Sequence, residues 1–533
     1  MCSAFMHLSA GFAKDIPQLS PHGDARRLIV DGKPFLILGG ELGNSSASSV
    51  AYMDEIWPRL VALNLNTVLA PVSWELIEPQ EGVFDFSLVD ALLKRARAHD
   101  QRLVLLWFGS WKNSMSSYAP PWVKRDPRRF PRAQTEDGRS HEILTAFSGE
   151  NLNADRKAFV ALMRHLATAD KKDRTVVMVQ VENEIGMIEN ARDHHPLANA
   201  AWSEAVPQAV LDALASGETA EELAAAWSAH GRKKSGSWTE VFGGGDRGEE
   251  IFMAWAYARY VEAITRAGKD IYDLPMFVNA ALIRPNHRPG QYPSAGPLPH
   301  LRDLWRLGAP SIDFLAPDIY FPNFVEWTTR YAWPGNMLFI PEANRAGAAG
   351  AQANALFAIG ELGAVGFSPF SIESIEDPET APLADLYAGL ASLSPLILDH
   401  LGANTMKGLR APVNFDGDAD LALQTFAMGG YRITATFIDP WTQREEQAPE
   451  THGAIVIQQG EEEFLFAGAG VTLTFETADG EGPAGIESAD EGRYENGAWI
   501  PGRRLNGDQT HQGRHIRLEP GAFAIQRVKL YRY

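Results

Sequence analysis

The sequence predicts an α/β protein in which a (β/α)8 TIM barrel is followed by an antiparallel β-sandwich domain. Between about residue 30 and residue 375, short continuous apolar runs alternate with amphipathic segments, which is the pattern of parallel strands covered by helices on both faces. After about residue 405 the helical periodicity stops, and strand-like runs are separated by turns rich in Gly and Asp. A doubly wound open sheet is the alternative architecture for the first part.

Eight apolar runs are the candidate barrel strands, one for each β/α unit. They are Leu36–Gly39, Thr67–Ala70, Leu103–Trp107, Val176–Val181, Met276–Asn279, Ile312–Ala316, Met337–Ile340 and Ala364–Phe367. The helices expected between them are Met53–Leu63, Ser87–Ala98 (with Asp85 and Ser87 as candidate N-caps), Arg156–Ala169, Glu249–Ala267 and Ala351–Leu362. Long insertions, 108–155 and 186–248, follow the third and fourth strands on the face where barrel active sites are built.

These patterns divide the chain into four segments. We expect an N-terminal extension (1–29), the barrel (30–375), a connecting helical segment (376–404) and the sandwich (405–533). The predicted sandwich strands are Leu421–Ala427, Tyr431–Ile438, Ala454–Gln458, Val471–Thr477, His515–Leu518 and Phe523–Tyr531.

Composition narrows the classes of function. The 48 basic and 67 acidic residues give a net charge of −19, which disfavours nucleic acid and anionic membranes as partners. Cys2 is the sole cysteine, so a disulfide within the chain and a cysteine-ligated zinc site are excluded. The N-terminal residues do not read as a signal peptide, and no run of apolar residues is long enough to span a membrane. We therefore expect a cytoplasmic or periplasmic protein.

Two glutamates follow predicted strands that lie opposite each other in a barrel. Asn183 and Glu184 come at the end of the fourth strand, and Glu342 follows the seventh strand after Pro341. Paired carboxyl groups at this face suit cleavage of a glycosidic bond, in which one protonates the departing oxygen and the other acts at the sugar carbon. The alternatives are that Asn183 and Glu184 cap a helix and that Glu342 pairs with Arg345.

Two sequence blocks resemble a known family. The segment 72–86, VSWELIEPQEGVFDF, is similar to the second-strand region of the glycoside hydrolase family 35 β-galactosidases of clan A, which reads W-x-x-x-E-P-x-x-G-x-(Y/F)-x-F. The block 179–186, VQVENEIG, resembles V-Q-(I/V)-E-N-E-Y-G of the same family, with Ile185 in place of Tyr. The resemblance spans about residues 30–375 and points to a divergent bacterial branch. It implies that Glu184 is the general acid/base and Glu342 the nucleophile.

Further residues near the ends of the predicted strands are candidates for binding substrate. They are Asn183, Trp107, Lys112, Asn113, Tyr320, Glu41, Trp74 and Asn279. Asn113 occupies the place of a family glutamate in the region after the third strand, and Tyr320 is the candidate hydrogen-bond donor to the nucleophile. The two tryptophans suit stacking on sugar rings, with burial in the core as the alternative. Asp318, after the sixth strand, fits a helix cap equally well.

The resemblance implies a retaining exo-β-galactosidase that hydrolyses terminal β-D-galactosyl residues without a cofactor or a metal. The expected partner is a β-galactoside oligosaccharide or a polysaccharide side chain, with no nucleic acid or membrane, and formation of a homo-oligomer stays open. Two alternatives remain: another clan A β-glycosidase acting on glucosides, mannosides or arabinosides, and a non-catalytic carbohydrate-binding protein.

Overall fold

A computed structural model describes residues 15–23, 25–495 and 497–533. The first fourteen residues of the expected N-terminal extension, including Cys2, lie outside the described residues. The rest of that extension begins a small antiparallel sheet, whose strands are β1 (Gln18–His22), β2 (Ala25–Val30) and β3 (Lys33–Phe35).

Strands and helices then alternate along the chain as far as residue 370. In order they are β4 (Ile37–Glu41), α1 (Val50–Ala62), β5 (Thr67–Ser73), α2 (Trp74–Ile77), α3 (Ser87–Ala98), β6 (Arg102–Lys112), α4 (Pro121–Lys124), β7 (Arg132–Gln134), β8 (Ser140–Leu144), α5 (Gly149–Ala169), β9 (Val176–Asn183), α6 (Pro196–Trp202), α7 (Gln208–Ser216), α8 (Glu221–Ala229), α9 (Trp238–Phe242), α10 (Asp246–Lys269), β10 (Met276–Ala281), α11 (Arg302–Gly308), β11 (Phe314–Ile319), α12 (Phe324–Tyr331), β12 (Ile340–Arg345), α13 (Ala351–Leu362) and β13 (Gly366–Phe370).

Eight parallel strands close a barrel in the chain order β4, β5, β6, β9, β10, β11, β12 and β13. The strands are almost wholly buried because helices cover them outside and side chains fill them inside. The predicted fold class is therefore confirmed, and the open sheet is excluded. The short strands β7 and β8 form a separate hairpin in the insertion after β6.

All eight predicted strands lie in the barrel, but several extend further toward its C-terminal face than their apolar runs indicate. The seventh, predicted as Met337–Ile340, is observed as Ile340–Arg345. Pairing with both neighbouring strands continues into polar residues, and a search for apolar runs does not detect these residues as part of the strand.

The N-cap expectation was wrong: Phe86 holds the N-cap position of α3, and Asp85 instead accepts a hydrogen bond from the Ser87 amide at 2.8 Å.

Among the described residues, one α-helix and ten strands follow the barrel. They are α14 (Pro382–His400), β14 (Met406–Arg410), β15 (Gln424–Met428), β16 (Tyr431–Thr436), β17 (Gly453–Gln458), β18 (Glu463–Ala469), β19 (Val471–Thr477), β20 (Ala484–Glu495), β21 (Ala498–Arg504), β22 (Ile516–Leu518) and β23 (Ala524–Arg532). Two antiparallel sheets result, ordered β14-β17-β18-β23-β20-β21 and β15-β16-β19-β22, with a second hydrophobic core made of residues from both. Four strands, β14, β18, β20 and β21, were missing from the prediction.

The six-stranded sheet packs on the barrel as well as on the smaller sheet. Along β17, Ile455 and Ile457 belong to the barrel core, whereas Ala454 and Val456 belong to the core between the sheets. This alternation follows from the two-residue period of a strand. Helix α13 meets the sheet so closely that a Cβ built on Gly360 would lie 2.9 Å from Cα of Gly408. The barrel and the sandwich therefore share a close-packed interface.

Among the described residues, the helices include none that is both long enough and apolar enough to cross a membrane.

Candidate active site

Carboxyl groups from several strands meet at the C-terminal end of the barrel. Glu41 ends β4, Glu184 directly follows β9, and Asp318 on β11 is paired in register with Glu342 on β12. One oxygen each of Glu184, Asp318 and Glu342 lies within 4.8 Å of the others. We call these four residues the carboxyl cluster. The two glutamates predicted to lie across the barrel mouth are thus brought together.

The backbone at Glu184 is held in an unusual conformation. Its φ of 44° lies in the left-handed region, which costs a residue with a side chain about 1–3 kcal/mol. The amide of Glu184 donates to Oδ1 of Asn279 at 2.9 Å, and its carbonyl accepts from Oγ of Ser114 at 2.6 Å. Nδ2 of Asn113 donates to Oε2 of the side chain. These contacts fix the carboxyl group where the strand ends.

Glu342 has one oxygen that is hydrogen-bonded and one that is not. The Tyr320 hydroxyl donates to Oε1, the hydrogen bond expected from the sequence, and the Tyr320 ring packs edge-on against Phe370. Oε2 of Glu342 has no hydrogen-bond partner in the described part of the chain. With 4% of the residue exposed, this oxygen is a buried acceptor without a donor of fixed position among the described residues.

Burial controls the electrostatics of the carboxyl cluster. It raises the pKa of Glu41 and of Asp318 well above the usual range, and the Glu342 charge adds to both effects. The pKa of Glu184 is raised to about 7, first by burial and then by the Glu342 charge, against the lowering effects of Lys112 and Asn113. At neutral pH a substantial fraction of Glu184 therefore carries a proton.

Lys112 and two asparagines line the same site. Nζ of Lys112 donates to Oδ1 of Asn183 at 2.6 Å and lies 4.8 Å from the centre of the Phe108 ring. Nδ2 of Asn279 donates to Oδ2 of Asp318 at 2.6 Å, so Asn279 links Asp318 to the backbone of Glu184. Nδ2 of Asn183 lacks an acceptor among the described residues. It is a buried donor available to a ligand.

The structure corrects two of the predicted substrate-binding residues. The ring of Trp107 is fully buried, donates to Oδ1 of Asp155 at 3.0 Å and packs against Phe159 on α5, outside the barrel. Trp74 is also fully buried; it donates to Oε2 of Glu78 at 3.0 Å and meets the ring of Trp122 edge-on. Both tryptophans are packing residues, because each uses its ring and its N–H within the core.

Asp318 belongs to the site rather than to a helix cap. Its signal in the sequence was a charged residue at the end of an apolar run, the same signal that identified Glu184 and Glu342. Ser114, which holds the Glu184 carbonyl, carried no sequence signal because its position depends on a left-handed turn at residues 113 and 114.

A second buried acidic pair lies behind the site. Glu182 and Asp155 are both buried, and the pKa of each is raised by desolvation, with the Asp155 charge adding to the effect on Glu182. Oε2 of Glu182 accepts from the Trp111 amide at 2.9 Å, and Oδ2 of Asp155 accepts from the Ser110 amide at 3.2 Å. The pair therefore anchors the end of β6 that carries Lys112.

The carboxyl cluster also has the spacing of a metal site. Hard divalent cations prefer carboxylate oxygens, and Glu184, Asp318 and Glu342 present one each within 4.8 Å. A cation there would occupy the same oxygens that a two-carboxylate reaction needs.

Comparison with known proteins identifies two regions of the chain. Residues 49–233 match the glycoside hydrolase 42 family model, described as "Beta-galactosidase". Residues 383–517 match a model described as "Domain of unknown function (DUF5597)".

Curated relatives match about a third of the chain. A "Beta-galactosidase" of Xanthomonas manihotis is 30% identical over 180 residues, which are 32% of this chain and 27% of that protein. "Beta-galactosidase-1-like protein 3" of Rattus norvegicus is 25% identical over 186 residues, 33% of this chain and 26% of that protein. The matched part spans about a quarter of the length of these relatives.

Solved structures are similar over a longer stretch and at lower identity. The β-galactosidase of the psychrophilic Marinomonas ef1 aligns with 68% of this chain and 61% of its own, with 14% identity and a TM-score of 0.46. That of Bacillus circulans aligns with 68% of this chain and 57% of its own, also with 14% identity, and a TM-score of 0.47. The family match over residues 49–233 includes both blocks on which the resemblance was based. The predicted resemblance to β-galactosidases of the glycoside hydrolases is therefore confirmed for this part of the barrel.

Proposed function

We propose that the protein is a retaining exo-β-galactosidase of family 35 type. Glu342 attacks the anomeric carbon of a terminal β-D-galactosyl residue while the bond from that carbon to the leaving oxygen breaks. Glu184 transfers its proton to the leaving oxygen, and a covalent galactosyl-enzyme results. Glu184 then takes a proton from water, whose oxygen displaces Glu342 and releases galactose with the β configuration retained.

The observation that carries this proposal is the short spacing of Glu184 and Glu342. Retaining glycosidases have carboxyl groups about 5–5.5 Å apart, whereas inverting enzymes need about 6.5–9.5 Å to admit a water. Oxygens of the two residues lie within 4.8 Å of each other, which favours the retaining route.

The charge states also suit the two roles. A raised pKa keeps a proton on Glu184 near neutral pH, as a general acid requires. Once Glu342 is esterified its negative charge is gone, so the pKa of Glu184 falls and the same group becomes a base. The Tyr320 hydroxyl positions Glu342 for attack.

Unpaired buried polar groups supply contacts for the sugar hydroxyls. Nδ2 of Asn183 is a donor without an acceptor within the described structure, and Glu41 adds a buried carboxyl group that meets Glu342. A galactosyl ring bound among them would satisfy these groups, whose isolation otherwise costs about 1–3 kcal/mol each. Because the surrounding residues are buried, the site suits the end of a sugar chain better than its middle.

Azide rescue tests the two assignments separately. In Glu342→Gly, we expect turnover of aryl β-galactosides to be abolished and azide to restore it with formation of the α-galactosyl azide. In Glu184→Ala, azide attacks the galactosyl-enzyme and the product is the β-galactosyl azide. Glu218→Gln, at an exposed loop residue, is the control and should retain full activity.

Near-normal turnover in both variants would overturn the assignment. Turnover of aryl glucosides, mannosides or arabinosides in place of galactosides would identify another clan A glycosidase. Binding of galactose without turnover of any of these substrates would identify a non-catalytic carbohydrate-binding protein. We expect EDTA to leave the rate unchanged, because the proposed steps use carboxyl groups alone.

A further inference from the structure

A polar cleft opens on the sandwich, in the region that matches the domain of unknown function. It encloses about 410 Å3 and lies where β20, β21, β22 and β23 meet the loops 437–452 and 505–515. The side chains that define it are Trp441, Glu491, Arg503, His511, Arg517 and Gln526. None of these residues takes part in the carboxyl cluster.

Trp441 presents a large ring at the edge of this cleft. The residue is 59% exposed, which is unusual for tryptophan, while its amide donates to Oδ2 of Asp439 at 3.2 Å. The ring of His511 stands nearly perpendicular to it, with ring centres 5.8 Å apart and an interplanar angle of 88°. Two flat walls thus form a corner, and the Trp441 backbone is fixed by the turn at Asp439.

The floor of the cleft contains an unsatisfied acceptor. Gln526 is only 2% exposed; its Nε2 donates to the Arg517 carbonyl at 2.8 Å, but its Oε1 has no donor among the described residues. A buried amide oxygen without a donor is costly, and a ligand hydroxyl would satisfy it. The backbone of His511 and Gln512 adopts positive φ values of 46° and 59° in the loop beside this floor. Such strained residues are concentrated at ligand-binding loops.

Both arginines of the cleft are already paired with acidic residues. Arg503 binds both oxygens of Glu491, at 2.5 and 3.2 Å. Arg517 binds Asp439 at 2.6 and 3.0 Å and Glu519 at 2.9 Å. An anionic ligand would have to displace these acidic partners, whereas a neutral ligand can use the remaining donor and acceptor positions of the same groups.

We propose that this cleft binds a neutral oligosaccharide chain. The apolar C–H face of a sugar ring stacks on Trp441. The hydroxyls of the sugar donate to Oε1 of Gln526 and form hydrogen bonds with the Glu491–Arg503 pair. Ligand sites usually combine a large aromatic surface with a few fixed polar groups. A neutral sugar matches both, because its C–H face is apolar and its hydroxyls form hydrogen bonds.

The loop that carries Trp441 also contacts the barrel. Loop 437–452 carries Trp441 at one end, and its turn Pro449–Thr451 packs against Gly350 at the start of α13. Gly350 follows β12, the strand that holds Glu342. A chain bound at Trp441 would therefore lie on the loop that contacts the barrel after β12.

The test measures binding with hydrolysis removed. The full chain carrying Glu342→Gln is run in affinity gels containing β-1,4-galactan, hydroxyethylcellulose or polygalacturonate; the choice of galactan rests on the proposed function. We expect retardation by a neutral polymer, and Trp441→Ala to weaken it about tenfold. Tyr533→Ala, which removes another exposed aromatic ring, is the matched control and should bind like the parent.

Equal retardation of the parent and Trp441→Ala would overturn the inference, as would failure of both neutral polymers to bind or tighter binding of polygalacturonate. The result is independent of catalysis. Binding that depends on Trp441 in a chain whose parent hydrolyses no galactoside would support the cleft and refute the proposed function. Hydrolysis of galactosides by a chain whose binding does not depend on Trp441 would support the proposed function and refute the cleft.

Discussion

Glu184→Gln should stabilise the protein at alkaline pH while removing its activity. Glu184 is 6% exposed, and its pKa is raised from 4.5 to about 7 by burial and by the Glu342 charge. A group whose folded-state pKa is raised binds its proton more tightly in the folded than in the unfolded chain. Stability is therefore lost as the pH rises from about 4.5 to about 7, and the loss is complete above that window.

The size of this loss follows from the pKa difference. Each pH unit corresponds to about 1.4 kcal/mol, so raising the pKa from 4.5 to about 7 costs about 3 kcal/mol of stability above neutrality. Glutamine has nearly the same shape, still accepts from Asn113 and has no charge at any pH. The stability of the variant does not decrease in this pH range, although without the proposed general acid its kcat/KM should fall by about 10² to 10⁴.

Thermal unfolding measured at about pH 5 and about pH 8.5 checks this reasoning. We expect the Tm of Glu184→Gln to exceed that of the parent by several degrees at the higher pH and to differ little at the lower pH. Glu218→Gln removes an exposed carboxyl group and should leave Tm unchanged at both. A shift of the same size at both pH values, or a lower Tm at the higher pH, would refute the reasoning.

Three further predictions concern the surroundings of the carboxyl cluster. In the pH profile of kcat/KM, the alkaline limb should lie at about pH 7, the pKa of the proposed acid Glu184. Asn113→Ala should move this limb upward by about one pH unit, because the lost hydrogen bond favoured the ionised carboxylate of Glu184. Met115→Ala, at an exposed residue of the same loop, should leave the profile unchanged. Tyr320→Phe should lower kcat/KM about 10²-fold through loss of the hydrogen bond to Glu342, the proposed nucleophile, and an unchanged rate would exclude a role for that hydrogen bond. Gly109→Ala should lower the stability by about 1–3 kcal/mol in thermal unfolding, because the added Cβ would lie 2.6 Å from Oε1 of the buried Glu182; an unaltered Tm would show that the site has room.

The sequence predicted the barrel because buried parallel strands leave a strong signal. Each barrel strand includes or directly follows a continuous apolar run, and the change to a charged residue marks the C-terminal face, which is how Glu184 and Glu342 were found. The same reasoning explains the strands that were missed. In β20 and β21 much of the surface is exposed, and glutamates and arginines pair across the hairpin, so neither apolar runs nor clear alternation appear.

The direction in which a side chain points was harder to predict than its place on a strand. Trp107 lies in the middle of β6, and Lys112 ends the strand; one faces α5 and the other faces the site. Alternation along the strand puts these two residues on opposite faces, but it does not show which face is turned toward the site. The register between β6 and β9 also shifts between them, where Asp155 and Glu182 accept hydrogen bonds from the amides of Ser110 and Trp111.

Helix α13 has a consequence for attempts to separate the two halves of the molecule. One side of the helix packs on the barrel, and the other side packs on the six-stranded sheet at Gly360. Along this interface, neither side of the helix is polar enough to be exposed to water. A barrel produced without the residues after 405 would expose that surface together with the partners of Ile455 and Ile457. We expect poor solubility of such a fragment, and exchange of the sandwich for an unrelated module would require the outer face of α13 to be redesigned.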